Sequence, residues 1–248
     1  MLTPSLAGAR CFIQGMGLLT RPGIRRFVLI PLSINIAVFV LLFAVLAGQF
    51  GELIDWLMPE LPAWLGWLSY LLWLLFAVLA GIVLFFSFSL LANIIASPFN
   101  AVLAEAVERH LTNREPPSGG GIVQAIREAP AAVMDELRKV LYYVTWAIPF
   151  LLLFLVPGVN LLAPFAWALF SAWMLAVQYC DFPLGNHGLK FSEQRARLRQ
   201  RRGLAYGFGA MSLLATLIPV FNFLVMPAAV AGATALVTRH LDFTPESR

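Results

Sequence analysis

The residues best suited to chemistry sit near the N-terminus, where Arg21-Pro22-Gly23-Ile24-Arg25-Arg26 stands directly ahead of a long apolar run. Pro22 suits the first position of a helix, where its missing N–H is no loss. A helix opening there leaves the amides of Gly23, Ile24 and Arg25 without an intrahelical acceptor. Arg25 and Arg26 fall in the same first turn, where the macrodipole already contributes about half a positive charge. Two more cations are unfavourable there unless an anion offsets them. A tetrahedral oxyanion suits the arrangement: free N–H donors, a glycine that lets it approach the backbone, and guanidinium forks that each bind two oxygens. The same arginines also fit a plain cytoplasmic anchor for the apolar run that follows. The residues alone leave both roles open.

Other polar candidates are sparser. Asn35, with Pro31, puts a polar atom and a kink inside the first apolar run, and Asn160 and Asn222 sit at breaks in two later runs. For these asparagines a pathway role and a structural role are both open. Arg195, Arg199 and Arg202 share one helical face, suited to anionic lipid headgroups or to recruiting anions. Glu105 and Glu108 share a face ahead of His110 without metal-ligand spacing, and read as a solvated face beside a membrane. No zinc-peptidase, P-loop, nucleophile-elbow or acidic metal-binding signature occurs. No catalytic residue, metal or cofactor is expected, and neither long apolar run holds the buried acid that proton-coupled carriers use.

The elements that must position these residues are membrane elements. The chain has 248 residues, of which 60% are hydrophobic and 12% charged, with a mean hydropathy of +0.81, far from the globular average. Phe27–Gly51 and Leu61–Ala104 contain no ionisable acid, base or histidine, and each exceeds the roughly 20 residues that cross a hydrocarbon core. Spanning helices are expected over 27–50 and 65–104. Arg10, Arg21, Arg25 and Arg26 precede the first without any acid, and Glu52, Asp55 and Glu60 separate the two without any base. That asymmetry puts the N-terminus in the cytoplasm and residues 51–60 outside, and the charges of 105–139, 181–202 and the tail fit the cytoplasmic side, so both termini are expected there. The net charge of +4 accompanies no basic stripe interleaved with aromatics, so no nucleic-acid partner is expected. Cys11 and Cys180 supply neither a disulfide framework nor a metal site.

Two further apolar blocks, 140–180 and 203–238, are each broken midway. The breaks read LVPGVNLLAP (Leu155–Pro164) and LIPVFNFLVMP (Leu217–Pro227), sharing a Leu-x-Pro-x-x-Asn-x-Leu frame followed by proline. This internal repeat predicts two helical hairpins with turns at Pro157–Asn160 and Pro219–Asn222. Arms of about 16 to 18 residues reach roughly 24 to 27 Å, short of a ~30 Å core, so the hairpins are expected to penetrate the membrane only in part. Ordinary short helical pairs are the alternative. Within 105–139, apolar residues from Ile122 to Val140 recur at three- and four-residue steps, which predicts an amphipathic cytoplasmic helix, restarted at Pro130. Thr112–Gly121 reads as a connector. The fold class is therefore all-α integral membrane, in one domain over 1–248.

The chain resembles the CysZ family of bacterial sulfate permeases. The likeness runs through PGIRRFVLIPLSIN (Pro22–Asn35), SPFNAVLAEAVE (Ser97–Glu108), YCDFPLGNHGLKFSEQRARLRQRRGLAYGFG (Tyr179–Gly209) and IPVFNFLVMPAAVAGAT (Ile218–Thr234). Gly185, where an acid is expected before Asn-His, and Cys180-Asp-Phe are departures. The resemblance implies sulfate uptake across a bacterial inner membrane for cysteine synthesis, a homo-oligomer in contact with membrane lipid, and no ATPase subunit. It also implies that sulfate binds at Gly23, Ile24, Arg25 and Arg26. Asp181 and His187 match the family pattern as pathway or structural candidates; for His187 a pH-sensing role and a hydrogen-bonded structural role are both open. A membrane scaffold without transport, with the arginines as anchors, is the competing class.

Overall fold

The computed structural model describes residues 3–57, 66–114 and 122–241, and every regular element among them is helical. In chain order these are α1 (Pro4–Leu18), α2 (Arg26–Leu57), α3 (Gly66–Thr112), α4 (Ile122–Leu152), α5 (Ala163–Asn186), α6 (Phe191–Gln200), α7 (Arg202–Thr216) and α8 (Pro219–His240), with two short 3-10 turns between α4 and α5. The chain divides into two compact units, residues 1–28 with 100–248, and residues 29–99. The second unit holds most of α2 and α3, the two long apolar helices. The side chain of Asn35 lies outside the described residues.

The first unit is organised around α8. Every residue from Ala228 to Val237 is buried, so every face of that helix is covered. A helix apolar all round must be enclosed by others, and α1, α5 and α7 enclose it. Small residues make this possible by letting backbones touch. A Cβ added at Gly15 of α1 would overlap the Ala228 carbonyl and the Gly232 backbone of α8. One added at Gly209 of α7 would overlap the Ala172 backbone of α5. Phe12 of α1 and Phe208 of α7 meet edge to face, ring centroids 6.2 Å apart, an arrangement that contributes about 0.5–1.5 kcal/mol beyond burial. Thus the N-terminal segment, basic in sequence, is a packed core helix.

Three expectations need correction. The amphipathic segment and the first arm of the first hairpin are one helix, α4, which runs through Pro130 without a break. The first hairpin is also longer than the charge count suggested. Met134–Leu155 and Ala163–Asn186, 22 and 24 residues, are both long and apolar enough to cross a membrane. Counting arms from Val140 stopped short because Lys139 is charged. In the fold Lys139 Nζ donates to Asp181 Oδ2 at 2.7 Å and pairs with Glu136 Oε2 at 2.7 Å, so the helix carries it with its charge offset.

The third correction concerns the breaks. The first is a turn, with 3-10 segments at Leu153–Leu155 and Val159–Leu161 around Gly158, whose φ is +82°. Asn160 lies in it, exposed. The second is a bend at Leu217–Ile218, and Pro219 opens α8 in place of making a turn. Proline favours that position because its φ is already helical and its absent N–H has no partner to lose. Asn222 is therefore helical; its side chain lies outside the described residues.

Candidate anion-binding site

Between α1 and α2 the chain reverses through Arg21–Arg25. Ile24 N–H donates to the Arg21 carbonyl at 3.1 Å, and Gly23 has φ +88°. Proline second and a left-handed glycine third is the arrangement of a type II turn. The expectation that Pro22 opens a helix is thus overturned: α2 begins at Arg26. The reason is local, since a glycine after proline reaches positive φ without the clash a Cβ would bring.

The turn changes which donors are available. Ile24 and Arg25 N–H both use the Arg21 carbonyl, the latter at 3.2 Å, so neither amide is free as expected. Among the described residues, Gly23 and Arg26 N–H donate no backbone hydrogen bond outside the helices. Ile24 is 2% exposed and packs with Val28 in the core, so its side chain pins the turn and does not face a ligand. Arg25 and Arg26 are exposed. Arg26 Cζ lies 4.7 Å from the centroid of the Phe27 ring, a cation–π contact that steadies the guanidinium without neutralising it. Arg25 makes no ion pair among the described residues. The turn therefore presents two uncompensated cations and two backbone donors within four residues.

A second polar group ties the end of α5 to α3. Gly188, φ +73°, ends α5: its N–H donates to the Gly185 carbonyl at 2.8 Å and Leu189 N–H to the Leu184 carbonyl at 3.2 Å. That pair of bonds is a Schellman cap. Asn186 Nδ2 then donates to the Ala101 carbonyl at 2.9 Å, and His187 Nε2–H to Glu108 Oε1 at 2.8 Å. The His187 and Glu108 side chains are only 8% and 6% exposed. Glu108 is thus a buried partner of His187, and not part of the solvated face expected of it. Replacing His187 would leave the Glu108 carboxyl group buried without this donor, a loss that costs about 1–3 kcal/mol or more.

Asp181 belongs to neither group; it holds Lys139 and so joins α5 to α4. Asn100 Nδ2 and Gln194 Oε1 are buried without a hydrogen-bond partner among the described residues. Sequence reasoning found neither the Glu108–His187 nor the Lys139–Asp181 pairing. Partners 79 and 42 residues apart share no local spacing that could reveal them. Arg195, Arg199 and Arg202 do not share one helix either, because α6 ends at Gln200 and Arg202 starts α7.

Comparison with known proteins settles the kinship. The family described as Sulfate transporter CysZ/Etoposide-induced protein 2.4 matches residues 11–227. The chain belongs to this family. It is 46% identical over 237 residues to the "Sulfate transporter CysZ" of Pseudomonas paraeruginosa, covering 96% of each chain. It is 44% identical over 237 residues to that of Pseudomonas aeruginosa LESB58, again covering 96% of each. With the protein of the same name from Salmonella typhimurium it shares 45% identity over 231 residues, 93% of this chain and 91% of the relative. The matched range includes both the Arg21–Arg26 turn and the Glu108–His187 pair.

Proposed function

We propose that this chain is a sulfate permease of a bacterial inner membrane that supplies sulfate for cysteine synthesis. The observation that carries this reading is near-full-length similarity, 44 to 46% identity, to relatives named for sulfate transport. On this reading the chain performs no covalent chemistry, crosses the membrane several times with both termini in the cytoplasm, assembles with copies of itself and uses no ATPase subunit. Gly23, Arg25 and Arg26 form the cytoplasmic anion cradle, and Ile24 fixes the turn that presents them. Asn35, Asn160 and Asn222 are candidates for polar positions on or beside the path.

Energetics limit the mechanism. A dianion entering a cell against 100 mV, inside negative, meets about 4.6 kcal/mol, twice the roughly 2.3 kcal/mol per charge. At 1.4 kcal/mol per decade that requires a concentration ratio of about 10³. Consumption of sulfate inside is what a passive route would draw on, because a binding site changes the rate of passage and not the direction of net flow. Radiolabelled sulfate uptake into vesicles containing only this protein tests the reading. Uptake above that of empty vesicles, stimulated by an inside-positive potential, is expected. Uptake equal to that of empty vesicles would return the chain to a scaffold.

A further inference from the structure

Apart from the anion cradle, the first unit carries a cavity of about 420 Å³ whose wall and mouth differ in chemistry. Tyr142, Trp146 and Phe150 of α4 face it at four-residue intervals, and Phe170 and Trp173 of α5 lie opposite. The rings are fixed by one another: Phe150 stacks on Phe170 at 5.0 Å, and Trp173 meets Tyr206 of α7 at 5.6 Å. Trp173 Nε1–H donates to the Tyr142 hydroxyl at 3.0 Å, so the indole dipole is satisfied and the wall offers apolar ring surface.

The mouth is cationic. Arg199 and Arg202 line it, both exposed and neither in an ion pair among the described residues. Arg195 is otherwise engaged, its Cζ 4.6 Å from the Tyr142 ring and 5.4 Å from that of Phe191. On α4 beside the cavity, Leu141, Val144, Ile148 and Leu151 are exposed, as a helix facing acyl chains would be.

We propose that this cavity binds one anionic phospholipid, its phosphate held by Arg199 and Arg202 and an acyl chain laid along the Tyr142–Trp146–Phe150 wall; this rests on the chain being a membrane protein. The two halves of the cavity each argue for that occupant. A free oxyanion has no use for an aromatic wall, and a zwitterionic headgroup brings a cation that two unpaired arginines repel. Planar guanidinium forks match phosphate oxygens two at a time. The volume lies within the ~300–1,000 Å³ of small-ligand sites, enough for one chain and part of a headgroup.

The test uses the full protein in phosphatidylcholine vesicles doped with phosphatidylglycerol, either lipid carrying brominated chains that quench tryptophan on contact. Seven tryptophans contribute to the signal, so the difference between lipids and its dependence on named residues is what is read. Brominated phosphatidylglycerol should quench at least twofold more than brominated phosphatidylcholine at equal mole fraction. The excess should vanish in Arg199→Gln/Arg202→Gln, persist largely in Arg199→Lys/Arg202→Lys, and shrink in Trp146→Phe. Inorganic phosphate or sulfate at about 10 mM, roughly a ten-thousandfold excess over a micromolar protein, should leave it intact. Equal quenching by the two lipids, an excess that survives the glutamine variant while its melting curve matches wild type, or displacement by inorganic phosphate would overturn the proposal. Sulfate uptake by wild type in the same vesicles is scored separately, so its absence strikes at the permease reading alone.

Discussion

The two hairpins begin from nearly the same words and end as different structures. LVPGVNLLAP supplies most of the ten-residue connection 153–162 between α4 and α5, while LIPVFNFLVMP becomes a two-residue bend from which α8 departs at once. The deciding residue follows the proline. Gly158 after Pro157 takes φ +82° and reverses the chain. Val220 after Pro219 is β-branched, which excludes that conformation, so the proline instead starts a helix. Pro22-Gly23 obeys the same rule and gives a turn, not a helix start. The arms diverge accordingly: α4 beyond Met134 is almost wholly exposed, whereas α8 from Ala228 to Val237 is enclosed. One arm, α4, is built to face a surrounding medium, and the other, α8, to be the centre of its unit.

Substitutions sharpen the contrast in order of expected effect. Gly209→Leu puts a side chain into the α5 backbone at Ala172 and should cost about 3 kcal/mol, at the upper end for overpacking. Thermal unfolding in detergent would check it, and a melting point within a degree of wild type would break the claim of enclosed packing. Gly158→Ala meets no atom within 4 Å but retains φ +82°, so it should cost about 1–2 kcal/mol from the left-handed backbone alone. If alanine is neutral there, the glycine does not decide the turn. Leu155→Ala removes a side chain that is 77% exposed and should change stability by less than about 0.5 kcal/mol in detergent. A loss comparable to that of Gly209→Leu would mean that the first hairpin is covered by something, such as another copy of the chain.

Much of this fold is legible in the sequence, for identifiable reasons. Long uncharged runs mark α2 and α3 because length and apolarity are additive along the chain. Three- and four-residue periodicity marks α4. The misreadings share a cause: Pro22 and Pro219 exchange roles because the residue after each proline, glycine in one case and valine in the other, decides between turn and helix start. The core role of α1 was hidden because its signal is small residues, Gly8 and Gly15, meeting backbone carbonyls of α7 and α8 far along the chain. The pairing of Glu108 with His187 was hidden for a similar reason, distance in sequence. At the cradle, the residue types pointed to an anion, but the donor set could not be read without the turn. Ile24 shows this best, since its amide is occupied and its side chain is the buried pin.

The central claim is that the Pro-Gly turn presents Arg25 and Arg26 to sulfate. Equilibrium binding of radiolabelled sulfate to the purified protein tests it directly, comparing wild type with Arg25→Ala/Arg26→Ala. Both side chains are exposed, so the variant should melt as wild type does. Saturable binding should be lost, with affinity falling at least a hundredfold, as expected for about 3 kcal/mol from two charge-assisted contacts. Saturable binding of unchanged affinity would contradict the account and leave these arginines as anchors only.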